Sequence, residues 1–380
     1  MRKHLWMGII AVIVLYSSQS LGDTIHVPAD QPTIQAGIDA TVAGDVVLVA
    51  CGAYVENISF GSNITVRSEQ GADVTIIDGN QAGSVVRLGG GTLDGFTIRN
   101  GNAPAGGGIY SSGYSKITNC TISGNIGGGI FCDGYDPEIT NCTISGNIGE
   151  FFGGIGAEYF INAMITNCVI TRNIGQAAGG IYLFNPIFWC DLKITNCTIT
   201  QNIATIEYGG AGGIFSCCGC RSEITNSIVW GNYSVKGGYE IYAVIADPTV
   251  TYTNVRGGYS GTGNIDVNPR FVGNGDFHLS SSSPCIDAGT DAGVGFDIDG
   301  EERPQGCGFD MGADENADCW DCDGDHHTDE VCGGDDCDDT DCAIHSGVRE
   351  CSWCGNGGNG IDDDCDDQVD ESCFIGVLMQ

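Results

Sequence analysis

Basic residues are scarce in this sequence. Among 380 residues, Lys and Arg number 14 against 49 Asp and Glu, so the formal net charge is −35 at pH 7. Phosphate recognition requires clustered Lys and Arg, and the composition therefore excludes nucleic acid as a partner. The same charge balance suits a protein that works outside the cell or that collects cations.

Long hydrophobic runs are absent beyond the first 22 residues. The run "LWMGIIAVIVLY" follows Arg2 and Lys3. It is too short to span a bilayer and has the length of a signal-peptide core. We interpret residues 1–22 as a signal peptide, with an uncleaved anchor as the alternative. The 21 cysteines agree with export. We therefore expect a secreted or cell-surface protein with no transmembrane span in its mature chain.

Glycine and repetition are abundant instead. The segment "KITNCTISGN" at 116–125 returns as "EITNCTISGN" at 138–147, and "ITN" recurs at 117, 139, 165, 194 and 224. A period in the twenties is typical of a solenoid with one structural unit per turn. Short β-prone runs separated by Gly and Asn leave no room for long helices. The repeat therefore predicts an all-β solenoid.

The repeated segment also predicts where the chain turns. Ile117 and Ile122 are five residues apart, yet both should face the core, and a straight strand alternates faces with period two. Asn119 is the natural corner because Asn tolerates left-handed backbone. We expect its equivalents to stack as a ladder, namely Asn141, Asn167, Asn196 and Asn226. A second Asn column marks the following turn, at 125, 147, 173, 202 and 232.

These features resemble the right-handed parallel β-helix of the pectate-lyase-like superfamily over residues 23–315. "PTIQAGIDAT" resembles the short helix of its N-terminal cap. The stretch from "NPRFVGNGDFHLSSSSPCIDAG" to "DIDGEERPQGCGFDMGADE" resembles the closing segment of secreted bacterial β-helix proteins. The resemblance implies an all-β right-handed parallel β-helix with an N-terminal capping helix. It implies no single function, because the superfamily contains lyases, hydrolases, esterases and non-enzymes.

Four cysteines occupy one column of the repeat, at Cys120, Cys142, Cys168 and Cys197. Stacked strands place such side chains about 4.8 Å apart, slightly too far for an unstrained disulfide. We interpret the column as small buried apolar residues. A metal column is the alternative, although metal sites require converging ligands rather than a line.

No catalytic constellation is evident in the repeats. Lys116 with Glu138, and Lys193 with Glu223, are explained as charge pairs between neighbouring strands. Arg172 replaces a turn Gly without an acid at a matching position, so we interpret it as a solvated charge. The body carries only His26 and His278, near its two ends. We therefore assign no catalytic residue.

An aromatic column follows the recurring "GGI". It holds Tyr110, Phe131, Tyr182, Phe215 and Tyr242, interrupted by Gly156. If the preceding Ile faces the core, these rings face outward. An exposed aromatic stripe could stack against sugar rings, whereas the alternative is a self-stacked structural column.

Residues 316–380 differ in composition from the body. They contain 19 of the 49 acidic residues, one Arg and nine of the 21 cysteines. Two loops repeat the 1, 3, 5, 9 acid spacing that surrounds a hard cation. The predicted metal ligands are Asp321, Asp323, Asp325, Asp329, Asp362, Asp364, Asp366 and Asp370. Because this tail has little to bury, we expect metal ions or disulfides to hold it together.

The tail also resembles a metal-binding motif of secreted bacterial proteins that is named after a copper-binding surface protein. "DDCDDTD" and "NGIDDDCD" carry the likeness. His326 and Asp367 stand where the motif usually has Gly. Because carboxylates dominate, we expect Ca²⁺, with Cu as the alternative through His326, His327 and His345.

The sequence thus predicts a signal peptide (1–22), a β-helix (23–315) and an acidic Cys-rich tail (316–380). The expected role is non-enzymatic binding of extracellular glycans or cell-surface components. One alternative is a carbohydrate-active enzyme, either a polysaccharide lyase or a glycoside hydrolase. Another is a structural surface spacer.

Overall fold

The computed structural model describes residues 22–316 except 62, 159–161, 185–190, 207–208, 218–219, 236, 238 and 246. Within these residues, parallel strands stack into a solenoid with three long sheets. The predicted all-β solenoid is confirmed. No helix in the described part is long and apolar enough to cross a membrane.

From Ile58 onward, each coil contributes one strand to each long sheet, in the order C, A, B. Sheet A consists of Thr24–Val27, Val46–Val49, Thr65–Ser68, Gly91–Asp94, Ser115–Thr118, Glu138–Thr140, Asn162–Thr166, Asp191–Thr195, Arg221–Thr225 and Thr249–Thr251. Sheet B consists of Gly52–Val55, Thr75–Asp78, Thr97–Arg99, Thr121–Ser123, Thr143–Ser145, Val169–Thr171, Thr198–Thr200, Ile228–Trp230 and Asn254–Val255. Sheet C consists of Ile58–Gly61, Val86–Gly89, Ile109–Ser111, Ile130–Asp133, Ile155–Glu158, Ile181–Phe184, Ile214–Cys217 and Ile241–Ala243.

Smaller elements complete the described part. Sheet D has three two-residue strands, Ile174–Gly175, Ile203–Ala204 and Tyr233–Ser234. An antiparallel hairpin pairs Phe271–Gly273 with Asp276–Leu279. Helix α1 (Ile34–Asp39) lies at the predicted place, and the Thr33 side chain accepts a hydrogen bond from the Ala36 amide at its start. Its function as a cap stays a prediction.

The predicted corners lie between sheets A and B. Asn119, Asn141, Asn167, Asn196 and Asn226 all have left-handed backbone, with φ between 48° and 52°. Their side chains form only a short ladder: Asn141 donates to Asn119 at 3.3 Å, and Asn167 donates to Asn141 at 3.2 Å. The predicted turns are therefore confirmed, whereas the expected full-length ladder is wrong for this column.

The continuous ladder is the second Asn column, inside the solenoid. Asn125 Nδ2 donates to Asn147 Oδ1 at 2.9 Å, and Asn147 Nδ2 donates to Asn173 Oδ1 at 3.0 Å. The same contact continues through Asn202 to Asn232. From Asn147 to Asn232, each Oδ1 also accepts a hydrogen bond from the backbone N–H of the column Asn on the preceding coil. The ladder satisfies buried backbone and amide groups at the turn towards sheet D.

Glu240 ends this ladder. It is 3% exposed, and its carboxylate accepts hydrogen bonds from Gly231 N at 2.8 Å, Asn232 N at 3.1 Å and Asn232 Nδ2 at 2.7 Å. A carboxylate thus occupies the place that an Asn would take on the next coil. Burial raises the pKa of Glu240 from 4.5 to about 7, although these donors favour the charged form.

This pKa gives a testable pH dependence. Because the folded state holds the Glu240 proton more tightly than the unfolded state, the contribution to stability is complete below about pH 4.5. It is lost as pH rises through 7, and the difference is at most about 3 kcal/mol. Urea unfolding at pH 5 and pH 8.5 should show a smaller decline for Glu240→Gln than for the parent chain. Equal declines would contradict this assignment.

The core consists of inward Ile, Val and Leu stacks from the three long sheets, joined by the cysteine column. Cys120, Cys142, Cys168 and Cys197 are buried free thiols. Each Sγ donates to the Thr carbonyl two residues earlier, at 3.0 to 3.2 Å. Burial raises the pKa of the first three thiols well above 9. The interpretation as small core residues is confirmed.

Candidate functional site

The aromatic stripe lies in register on the outer face of sheet C. Tyr110 pairs with Phe131, and Tyr182 pairs with Phe215, which pairs with Tyr242. Neighbouring ring centroids are 5.4 to 5.8 Å apart. The predicted alignment is therefore confirmed.

The three central rings of the stripe are largely covered, which agrees with the self-stacked alternative rather than with an exposed stripe. Phe131, Tyr182 and Phe215 are only 8%, 8% and 9% exposed. They form a second apolar cluster with Phe152, Ala178 and Ala211, which come from the turns outside sheet C. Only Tyr110 and Tyr242 keep intermediate exposure. Glycan binding along the stripe stays a prediction.

Phe152 explains the gap in the stripe at Gly156. Its ring stacks on Phe131 with centroids 5.7 Å apart. A Cβ at Gly156 would lie 2.3 Å from the Phe152 ring, so only glycine admits this ring over the strand. The aromatic column is thus completed by a residue from an adjacent turn.

The predicted metal ligands of the acidic tail are not among the described residues. All eight predicted metal ligands, from Asp321 to Asp370, lie outside the described residues, as do the nine tail cysteines. Metal binding by the tail therefore stays a prediction.

A more accessible site lies on sheet B, because the closing segment (residues 268–316) folds back across the outer face of this sheet. Leu279, Cys285 and Met311 pack with Ile228 of sheet B. Ala313 N donates to Thr198 Oγ1 at 3.1 Å. Gly312 permits this approach, since a Cβ there would lie 2.9 Å from Ile228 Cδ1. The later coils of sheet B are therefore covered.

Corner asparagines fasten the closing segment. Asn167 Nδ2 donates to the Phe296 carbonyl at 2.6 Å, and Asn226 Oδ1 accepts from Thr290 N at 2.9 Å. Two of the predicted corner residues thus hold the segment against the solenoid.

The earlier coils of sheet B remain open beneath the closing segment, in a cleft of about 570 Å³. Its floor is polar and comes from sheet B and the Asn corner: Asn119, Thr121, Asn141, Thr143, Ser145, Val169 and Thr171. Its wall comes from the closing segment: Gly275, Asp276, Phe277, His278, Ile298, Asp299, Ala313 and Asp314. Arg172 lies between floor and wall.

One floor hydroxyl lacks a partner. Thr171 is 3% exposed, and its buried Oγ1 makes no hydrogen bond within the described part of the chain. Buried hydroxyls are normally paired, and an unpaired one is costly. Because this oxygen has no contact with solvent, its lack of a partner does not by itself mark a ligand contact.

Arg172 adopts a backbone conformation normally reserved for glycine. Its φ is 56°, and the corresponding turn residues of other coils include Gly124, Gly146 and Gly231, with φ of 63° to 73°. Gln201 at the same position of the next coil also has left-handed backbone, with φ of 57°, so this conformation does not by itself single out Arg172. Arg172 Nε donates to Gln201 at 3.1 Å, and its guanidinium lies 5.5 Å from the Phe277 ring centroid. The guanidinium is thereby held at the cleft edge.

His278 lies between two carboxylates of the wall. Its Nδ1 contacts Asp276, and its Nε2 is 2.9 Å from Asp299 Oδ2. Although partial burial opposes protonation, hydrogen bonds to Asp299 and Asp276 raise the pKa of His278 to about 9. Burial raises the pKa of the neighbouring Asp314.

A buried polar network fixes this wall. Arg303 and Glu315 form an ion pair with both side chains fully buried. The Asp297 carboxylate accepts from the backbone of Asp299, Glu301 and Glu315 at 2.8 to 3.1 Å. These contacts set the backbone that carries Asp299 and Asp314.

Sequence reasoning missed this site. Arg172 is exposed, in agreement with its interpretation as a solvated charge, but Asp276, Asp299 and Asp314 of the closing segment line the same cleft. They are more than 100 residues later in the chain and belong to no repeat. The repeat showed only that Arg172 replaces a turn glycine, as Gln201 does on the next coil.

Comparison with known proteins adds the handedness of the solenoid. A family model described as "Right handed beta helix region" matches residues 62–211. The solenoid is a right-handed parallel β-helix. The sequence matches none of the curated proteins with which it was compared.

Two solved structures are similar to the β-helix. Pectate lyase Pel9A has 16% identity and a TM-score of 0.44, over 78% of this chain and 97% of that chain. A deglycosylated pectin methylesterase from Aspergillus niger has 13% identity and a TM-score of 0.40, over 66% of this chain and 87% of that chain.

Proposed function

We propose that the protein is an exported, saccharide-binding β-helix protein, and that the saccharide lies in the cleft between sheet B and the closing segment. The polar floor of the cleft carries this proposal, because it presents the hydroxyl and amide groups of Asn119, Thr121, Asn141, Thr143 and Ser145. Thr121 pairs with Thr143, and Ser145 pairs with Thr171, on adjacent coils. Successive coils repeat about every 4.8 Å, which suits an extended chain of hydroxyl-bearing rings.

The charges of the cleft favour a neutral saccharide. Asp276, Asp299 and Asp314 outnumber the cations Arg172 and His278 around the cleft. An anionic sugar would be repelled unless a cation accompanied it. Arg172 would donate hydrogen bonds to sugar hydroxyls through its Nη groups, which have no hydrogen-bond acceptor among the described residues.

Titration of the full chain with a neutral oligosaccharide selected on a glycan array tests this proposal. Arg172→Ala and Thr143→Val should each weaken binding at least about tenfold, the loss expected for one polar contact of about 1.4 kcal/mol. Lys116→Ala is the matched control, because Lys116 is an exposed cation on sheet A, paired with Glu138 at 2.6 Å. Unchanged affinity in both cleft variants would overturn the cleft assignment.

The same titration separates the cleft from the aromatic stripe. Tyr182→Ala combined with Phe215→Ala should leave affinity unchanged if the cleft binds the sugar. Loss of binding only in this folded double variant would favour the stripe of Tyr110, Phe131, Tyr182, Phe215 and Tyr242. No binding of any saccharide by the parent would favour the surface-spacer alternative.

A carbohydrate-active enzyme is the second candidate. It is favoured by the grouping of Arg172, His278 and two carboxylates beside one cleft. Such a set can move a proton and stabilise developing charge. Release of shorter saccharides by the parent, abolished by His278→Gln, would support this candidate. Binding without any cleavage supports the non-enzymatic function.

We further propose that the acidic tail binds Ca²⁺, on the basis of its two repeated acid spacings. In calorimetry of the full chain, Asp362→Asn with Asp364→Asn should remove Ca²⁺ equivalents that the parent binds. If Cu²⁺ binds instead, and its binding is lost with His345→Ala, the choice of metal is wrong.

A further inference from the structure

Three potential metal ligands converge on the cleft wall. His278 belongs to the hairpin, Asp299 to the turn after Asp297, and Asp314 to the end of the closing segment. One donor atom from each lies within 4.8 Å of the other two. In a tetrahedral zinc site, donors lie about 3.4 Å apart, given metal–ligand bonds of about 2.0 to 2.1 Å. Small side-chain rotations would therefore bring all three onto one ion.

Asp314 provides a second, independent observation. Asp314 is only 7% exposed, and its Oδ2 accepts a hydrogen bond from Leu279 N at 2.7 Å. The other carboxylate oxygen accepts no hydrogen bond from the described residues. The carboxylate of Asp314 therefore keeps one oxygen free to bind a cation, beside the donor atoms of His278 and Asp299.

The donor set selects the class of cation. Calcium requires six to eight oxygen ligands and does not favour imidazole. One imidazole with two carboxylates, and a side open to the cleft, matches a zinc-type site with room for water or ligand. Asp276 lies behind the imidazole at Nδ1, where metal-bound histidines commonly have a carboxylate.

We propose that His278, Asp299 and Asp314 form a binding site for a zinc-type divalent cation at the wall of the sheet B cleft. Asp276 orients His278 towards the ion. The three residues precede the acidic tail in the sequence, and occupancy of the site does not depend on saccharide binding. In the structure, the His278 ring bridges Asp276 and Asp299.

Zinc titration of the full chain tests this site without any saccharide. The Cys, His and Asp residues of the tail are also potential zinc ligands, so the informative quantity is the difference in zinc stoichiometry between variants. His278→Gln and Asp299→Asn should each lose one equivalent of Zn²⁺ relative to the parent. The matched controls are His26→Gln and Asp291→Asn, which change an exposed His at the opposite end and an exposed Asp of the same closing segment. Both controls should bind as the parent does.

Anomalous diffraction from zinc-soaked crystals of the parent chain provides a readout that requires no variant. The expected result is a zinc peak about 2.0 to 2.2 Å from His278 Nε2 and from a carboxylate oxygen of Asp299 and of Asp314. No peak there, with His278 still bridging Asp276 and Asp299, would overturn the proposal. Equal zinc stoichiometry in all four variants would also overturn it.

Discussion

Replacing Asn173 with Ala is expected to lower the free energy of unfolding of the β-helix by about 3–5 kcal/mol. Asn173 is fully buried at the centre of the inner ladder. Its Oδ1 accepts from Asn147 N and Nδ2, both at 3.0 Å, and its Nδ2 donates to the Ile144 carbonyl at 2.8 Å. The substitution would leave these groups buried and unpaired. Each such group costs about 1–3 kcal/mol.

Asn141→Ala is the matched control for the ladder, because it removes an Asn from the outer corner column. Asn141 shares only two side-chain contacts, at 3.3 and 3.2 Å, with its neighbours in that column. Its loss should cost about 1–2 kcal/mol, mainly from left-handed backbone at a non-glycine residue. Chemical denaturation of both variants makes the comparison. An equal loss in the free energy of unfolding for both variants would contradict the expectation that the inner ladder stabilises the fold more than the outer corner column does.

Replacing Phe152 with Ala is expected to cost about 3–5 kcal/mol as well, because a buried aromatic ring leaves a cavity. Phe152 is 4% exposed, and its ring fills the space between Phe131 and the strand at Gly156. The loss should also loosen the turn that covers sheet C. Thermal and chemical unfolding of the variant measure this cost.

A double-mutant cycle with Gly156→Ala separates the ring's contact from other effects. In the parent, the new Cβ would lie 2.3 Å from the Phe152 ring and should cost about 1–3 kcal/mol. In the Phe152→Ala background, the same change should cost much less, since the ring is gone. Strict additivity would contradict the assigned packing.

The repeat itself made much of the solenoid predictable. The period fixed the stacked coils, and the odd spacing of Ile117 and Ile122 located the corner at Asn119, whose φ is 52°. The cysteine column was predictable for the same reason. Which Asn column forms the full ladder was not predictable, because both columns repeat equally and only the direction of the side chains distinguishes them.

The site depends on contacts that no repeat contains. His278, Asp299 and Asp314 reach the cleft because the closing segment folds back over sheet B. Phe152 closes the aromatic column from a turn outside the repeated phrase. Both arrangements are tertiary contacts made by residues outside the repeated phrases, and the repeat pattern does not encode such contacts.

A crystal structure of the full chain with the selected neutral oligosaccharide tests the central claim most directly. We expect sugar rings along Thr121 and Thr143 beneath the hairpin, with Arg172 donating to a sugar hydroxyl. A saccharide bound against Tyr182 and Phe215 on sheet C, with no sugar in the cleft, would contradict it.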